Sequence, residues 1–87
     1  MKKLFRNNKY TLLYFKIINK RKQNHIIEDK YTENHHIIPR CLGGSDKENV
    51  VTLTAREHYI CHRLLPKMVE KNGPLYYKLW HAFVMLC

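Results

Sequence analysis

Six histidines occur in this 87-residue chain, and four of them fall into two pairs with different spacings. His58 and His62 are four apart inside "TAREHYICHRLL". In a helix that spacing stacks both imidazoles on one face about one turn apart, close enough to bind a single metal ion. His35 and His36 are adjacent inside "TENHHIIPRCLGG". In a strand, neighbouring side chains leave on opposite faces, so one imidazole can face the helix and its metal while the other faces whatever binds outside. Imidazole both ligates divalent metals and exchanges a proton near neutral pH. An i, i+4 histidine pair by itself is also common on ordinary helix surfaces; what distinguishes this chain is the two pairs together. His25 and His81 have no partner pattern and read as surface or packing residues. Cys61, between the helical histidines, reads as a small buried filler, and Cys41 carries a ligand atom that its neighbours do not require. The tyrosines and Trp80 read as core.

The elements that must position these residues follow from local signals. "YTENHHII" has β-formers at both ends and reads as a short strand; Pro39 stops regular pairing, and "GGSDKEN" is a loop by composition. "VVTLT" is rich in β-branched residues and reads as a second strand. Thr54 followed three residues later by Glu57 is a capping box, so a helix should begin at Ala55. Pro66 should end or kink it. Pro74 suits a first helical turn, and Leu75, Leu79, Ala82, Phe83 and Leu86 form one stripe of a closing helix. Upstream, "YTLLYFKIINK" sets Tyr10, Leu13, Tyr14, Ile17 and Ile18 on one helical face, with Lys9, Lys16 and Lys20 elsewhere on its surface. "KRKQN" then breaks the pattern into a polar connector. The order is helix, strand, loop, strand, helix, helix, an α+β chain with two short antiparallel strands and no internal repeat. Residues 1–30, 31–69 and 70–87 are read as a basic front segment, a histidine-bearing centre and a closing helix within one domain. "HAFVMLC" stops inside a helical apolar pattern with no cap, the expected mark of truncation.

Composition narrows the partners. A chain of this length makes one small domain with a thin core that benefits from a staple such as a metal. Its longest apolar runs, such as "AFVML", are far too short to span a membrane, and "MKKLFRNNKY" lacks the apolar region of a secretory signal. Three cysteines without a CxxC pair argue against a disulfide framework and suit a reducing, cytoplasmic compartment. The net charge is +9 and uneven: residues 1–30 hold nine basic and two acidic side chains (+7), residues 31–69 five and four (+1), residues 70–87 two and one (+1). That asymmetry favours a polyanion, nucleic acid or an anionic membrane surface, over simple solubilising charge.

The run "ENHHIIPRCLGGSDKENVVTLTAREHYICHRLL", residues 33–65, resembles the HNH endonucleases with their ββα-metal fold, particularly the small ones encoded by bacteriophages and homing elements. Nuclease toxins of the colicin type are similar in layout, including an arginine directly after the last histidine, here Arg63. The resemblance implies a DNA endonuclease dependent on one divalent metal ion, acting on double-stranded DNA, with no membrane and no small-molecule substrate. It implies that His36 is the general base, that Asn49 braces the loop and so holds the base, and that Glu33 supports the site. His35, His58 and His62 are the implied metal ligands. Many members carry Asp at the His35 position and Asn or His at the His58 position. Here all three ligands are histidines, which favour Zn2+ over Mg2+ on softness, while the family's usual activity with Mg2+ or Mn2+ pulls the other way. Hydrolysis would leave 5′-phosphate and 3′-hydroxyl ends. Lys20, Arg21 and Lys22 are expected to hold DNA phosphates, with Arg40, Arg56 and Arg63 clamping the phosphate near the metal. Two readings stand beside this one: a nucleic-acid-binding module of the same fold that no longer cleaves, and a structural zinc domain or basic membrane-surface peptide. The sequence names neither the DNA target, nor nicking against double-strand cleavage, nor the oligomeric state.

Overall fold

The structure, a computed structural model, describes residues 4–23 and 31–86; His25, Cys87 and the side chain of Leu86 lie outside the described residues. Asn8 opens the first helix: its side-chain oxygen accepts from the backbone N–H of Thr11 at 3.0 Å, a side-chain cap on an otherwise unpaired donor. This helix, α1, runs Lys9–Gln23. Tyr14 and Ile18 are fully buried on its inner face, with Tyr10 and Ile17 half-buried beside them. Leu13, expected on that face, is 50% exposed, and Phe15 packs against the core instead. The expected break at "KRKQN" does not occur before Gln23. Lys, Arg and Gln are good helix formers, nothing in 20–23 removes a donor, and three cations in the last turn face the negative end of the helix dipole.

Strand β1 (Glu33–His36) pairs antiparallel with β2 (Val50–Leu53), with Glu33 opposite Leu53, His35 opposite Val51 and His36 opposite Val50. β1 is shorter at both ends than the eight-residue run "YTENHHII", although one further backbone bond, Ile37 N–H to Asn49 O at 2.7 Å, extends the pairing. The pleat turns His35, Val51 and Leu53 inward. Helix α2 (Ala55–Leu64) starts where the capping box places it. Thr54 Oγ1 accepts from the Glu57 N–H at 3.1 Å, and the Glu57 carboxylate accepts from the Thr54 N–H at 3.0 Å. Pro66 converts the continuation into a 3-10 turn, Leu65–Met68. Helix α3 (Pro74–Leu86) begins on its proline.

These pieces close on one core in which Tyr14, Ile18, Leu53, Cys61, Leu65, Met68 and Leu79 are essentially inaccessible. Leu75, Ala82 and Phe83 are half-buried along the expected stripe of α3, and Trp80 is half-buried rather than core. The architecture is α+β, two antiparallel strands with three helices, and it sets α2 against the inner face of the hairpin and α1 behind both. Among the described residues no helix is long and apolar enough to cross a membrane.

Candidate functional site

The hairpin and α2 bring three imidazoles together. Ring centres of His35 and His58 are 5.1 Å apart, those of His35 and His62 5.1 Å, and those of His58 and His62 4.8 Å. One nitrogen from each ring lies within 4.8 Å of the others. The two pairs of the sequence thus split as their periodicities require. Both helical histidines face the hairpin, and of the strand pair only His35, 1% exposed, turns towards them.

Hydrogen bonds assign the tautomers of His35 and His58. Burial raises the pKa of Tyr14, with the Cys61 sulfur adding to it, so its hydroxyl stays protonated. It donates to the Ile37 carbonyl at 2.6 Å. The 2.7 Å contact between Tyr14 Oη and His35 Nε2 is then filled by the imidazole proton, which leaves the lone pair on His35 Nδ1. That atom is buried and has no hydrogen-bond partner, and the same is true of His62 Nδ1. Hydrogen bonds from Tyr31 and His58 lower the pKa of Glu33. As an ionised carboxylate it accepts from His58 Nδ1–H at 2.8 Å, freeing Nε2 of that ring. Burial, followed by the neighbouring imidazoles, pushes His35 down to about 3 and His62 down to about 4. Near pH 7 these rings are neutral, the form in which imidazole binds a metal. Buried polar atoms rarely go unpartnered without a reason, and two orphaned ring nitrogens beside a carboxylate-held third imidazole fit a divalent ion, in the ligand-plus-carboxylate pattern usual for metal-bound histidine.

His36 leaves the other face of β1. It is half-buried and lines an open cleft of about 330 Å³ together with His58, His62, Asn34, Arg40 and Cys41. Its Nε2 lies 2.7 Å from Asp46 Oδ1, and Arg40 donates to the same oxygen at 2.9 Å. These two contacts hold Asp46 below its ordinary carboxylate range. Arg40 Nε–H donates to that same His36 Nε2 at 3.2 Å, so the ring nitrogen sits between a carboxylate and a guanidinium that together fix where the imidazole lies. Asn49 is buried where the loop returns. Its amide donates to Ile38 O at 2.9 Å and Ser45 O at 2.7 Å, and its Oδ1 accepts from Ile38 N–H at 2.8 Å. Gly44 makes that closure sterically available, since a Cβ there would overlap the Ile38 carbonyl.

The remaining expected residues are dispersed. Arg40 lines the cleft; Arg56 and Arg63 are exposed on α2 and are not among its lining side chains. Lys20 and Lys22 are exposed in the last turn of α1 rather than in a connector. Arg21 departs from its expected role as a phosphate anchor. Its guanidinium grips the Glu57 carboxylate with Nε at 2.9 Å from both oxygens and Nη2 at 2.8 Å from one, in a pair that is largely buried. Two contributors had no expectation attached to them: Tyr14, read only as core, and Asp46, read only as loop. Neither has a local signal, because each reaches its histidine across 21 and 10 residues of chain respectively.

The chain is similar to probable mobile endonucleases of Enterobacteria phage T4. It is 52% identical to probable mobile endonuclease E over 59 residues, which are 67% of this chain and 38% of that protein. It is 47% identical to probable mobile endonuclease D over 78 residues (85% and 30%) and 48% identical to probable mobile endonuclease B over 81 residues (92% and 28%). The chain therefore spans less than two fifths of the length of these relatives. No family model matches it, and no solved structure matches it.

Proposed function

We propose that this chain carries the catalytic centre of a metal-dependent endonuclease of the HNH type, which hydrolyses phosphodiester bonds of double-stranded DNA. The observation that carries this reading is the pair of orphaned, buried Nδ1 atoms of His35 and His62 beside the Glu33-held ring of His58, with a further histidine in the same cleft. The relatives, named as endonucleases, agree with it. His35, His58 and His62 would hold one divalent ion, Zn2+, Mn2+ or Mg2+, which when bound supplies positive charge to the phosphate in the transition state and to the departing 3′ oxygen.

The residues of the chain do the rest. His36 takes a proton from the attacking water, while Asp46 and Arg40 meet at its Nε2 and hold the ring in place. Asn49 fixes the loop against Ile38 and thereby fixes where β1 ends and how His36 is presented. Arg40, at the rim, supplies a cation to the phosphate as it enters. Products with 5′-phosphate and 3′-hydroxyl ends follow from water attacking phosphorus with the 3′ oxygen leaving. The exposed Lys20 and Lys22 add phosphate contacts away from the cleft. The reaction belongs in the cytoplasm of a phage-infected host.

The test is incubation of purified protein with supercoiled plasmid and a panel of divalent metals. Cleavage is expected with at least one of them, and His36→Ala should cleave slower by about 10² to 10⁴-fold while binding DNA as before. Full activity in His36→Ala would remove His36 as the base. No cleavage with any metal would favour the non-cleaving DNA-binding module.

A further inference from the structure

A second concave surface lies on the far side of α3. Two residues along a helix are about 200° apart, so Ala82 faces the histidine cleft while Trp80 faces away from it, and Trp80 lines a groove of about 350 Å³. Tyr76, one turn earlier, continues the same wall, its ring 6.1 Å from that of Trp80 and nearly perpendicular to it. Tyr10 of α1 stands among the lining residues, with the Lys67 ammonium 5.2 Å and the Lys9 ammonium 5.3 Å from its ring centre. Arg6, Lys67 and Lys71 line it too, beside Asn8, Pro66 and Val69, and among the described residues no carboxylate does. Among the described residues these cations form no ion pair.

The groove is tied together by hydrogen bonds to its backbone carbonyls. Arg6 N–H donates to Met68 O at 2.7 Å, Thr11 Oγ1 donates to Arg6 O at 2.6 Å, and the Asn8 amide donates to Lys67 O at 3.1 Å. Three aromatic rings and three cations outside any ion pair, with no acid among the described lining residues, select a ligand with a planar ring and an anionic group on one unit. A nucleotide has both. Paired duplex DNA offers the phosphates but keeps its base faces stacked inside, so aromatic walls add nothing to its binding. An acidic peptide offers charge without the ring.

We infer that this groove binds an unpaired nucleotide of a DNA strand, its base against the Tyr76–Trp80 wall and its phosphate on Arg6, Lys67 and Lys71. The site is separate from the histidine cleft and requires no cleavage, so it stands or falls independently of the endonuclease reading.

Trp80 is the chain's single tryptophan, so its emission reports the groove directly. The full chain is titrated in chelator, where metal-dependent cutting is silent, with an eight-nucleotide oligothymidylate, a long blunt duplex at equal total phosphate concentration, inorganic polyphosphate and polyglutamate. The oligothymidylate should shift or quench Trp80 emission at concentrations at least about tenfold below those of the other three. Tyr76→Leu and the surface double variant Lys67→Gln/Lys71→Gln should each weaken that response about tenfold or more. The double variant alters only exposed side chains, so it keeps the test sharp if Tyr76→Leu folds poorly. Emission that ignores oligothymidylate, or responds equally to polyphosphate, polyglutamate or duplex, overturns the inference, as does an unchanged response in the double variant.

Discussion

Removing one oxygen atom from Tyr14 tests how the metal-facing histidine is held. In Tyr14→Phe the ring and its contacts remain, but His35 Nε2–H and the Ile37 carbonyl both lose the partner they now share at 2.7 and 2.6 Å. Both sit where water has no access, His35 being 1% and Ile37 6% exposed. A buried polar group left unpaired costs about 1–3 kcal/mol, so two stranded groups cost about 2–6 kcal/mol before the site relaxes. That is a large part of the about 5 kcal/mol at the low end for small domains. The second effect is on the ligand. Without Oη the Nε2–H of His35 has no anchor, the ring is free to change tautomer or turn, and loss of such an outer partner lowers metal affinity by about 10- to 100-fold. Urea titrations with and without Zn2+ read both effects at once. The midpoint without metal should fall, and the rise on adding a fixed metal concentration should shrink, because that rise follows the ratio of ligand to Kd. Tyr31→Phe is the control: its hydroxyl also reaches the site through Glu33, but Tyr31 is 63% exposed and its loss strands nothing, so stability should hold. A Tyr14→Phe protein with wild-type midpoint and wild-type metal affinity by calorimetry would refute the tautomer assignment of His35.

Asp46→Asn should slow single-turnover cleavage about 10- to 100-fold at unchanged DNA affinity, since a neutral amide loses the ionic hold on both the His36 ring and the Arg40 guanidinium; equal rates would remove Asp46 from the site. Lys20→Ala/Lys22→Ala should flatten the log–log salt dependence of DNA binding by up to about 1.8 units, whereas Arg21→Ala should leave the slope alone and lower the thermal midpoint by stranding Glu57. A slope that does not move in the lysine variant would withdraw the end of α1 as a DNA contact. Burial, helped by the charge of Glu57, pushes the Cys61 thiol up to about 12. Iodoacetamide at pH 8 followed by peptide mapping should therefore modify exposed Cys41 in the native protein and reach Cys61 only after unfolding, and comparable native rates at the two would contradict the packing of α2.

What was legible in the sequence were the parts whose cause is local. The Thr54–Glu57 capping box, the proline at 66 and the proline at 74 act within one turn, and the helix boundaries fall where those residues place them. The same holds for the histidines: periods of two and 3.6 residues decide which imidazoles share a face before any tertiary contact exists. The end of α1 is not legible in the sequence because a run of charges looks like a connector, while Lys20, Arg21 and Lys22 are helix formers and Arg21 has Glu57 to reach for. Leu13 fits the apolar spacing as well as Phe15 does, and only the direction from which the rest of the chain approaches α1 decides between them. Tyr14 and Asp46 were invisible for the same reason, since a tyrosine in an apolar stripe and an aspartate in a loop are ordinary until the fold sets a histidine beside each.

The hairpin register carries a consequence for folding fidelity. A one-residue slip between β1 and β2 would exchange the faces of His35 and His36. In most strands such an error buries the wrong kind of side chain and is rejected at once. Here imidazole would replace imidazole, so a misaligned hairpin would still offer the helix a nitrogen and could still capture metal. Discrimination passes to the neighbours that are not interchangeable. A slipped strand turns Asn34 inward where His58 needs a carboxylate, and it pulls Ile38 out of its two hydrogen bonds with Asn49. Asn49 is then the proofreading element of the hairpin, and metal added early in refolding would trap errors that the same metal, added late, would never meet.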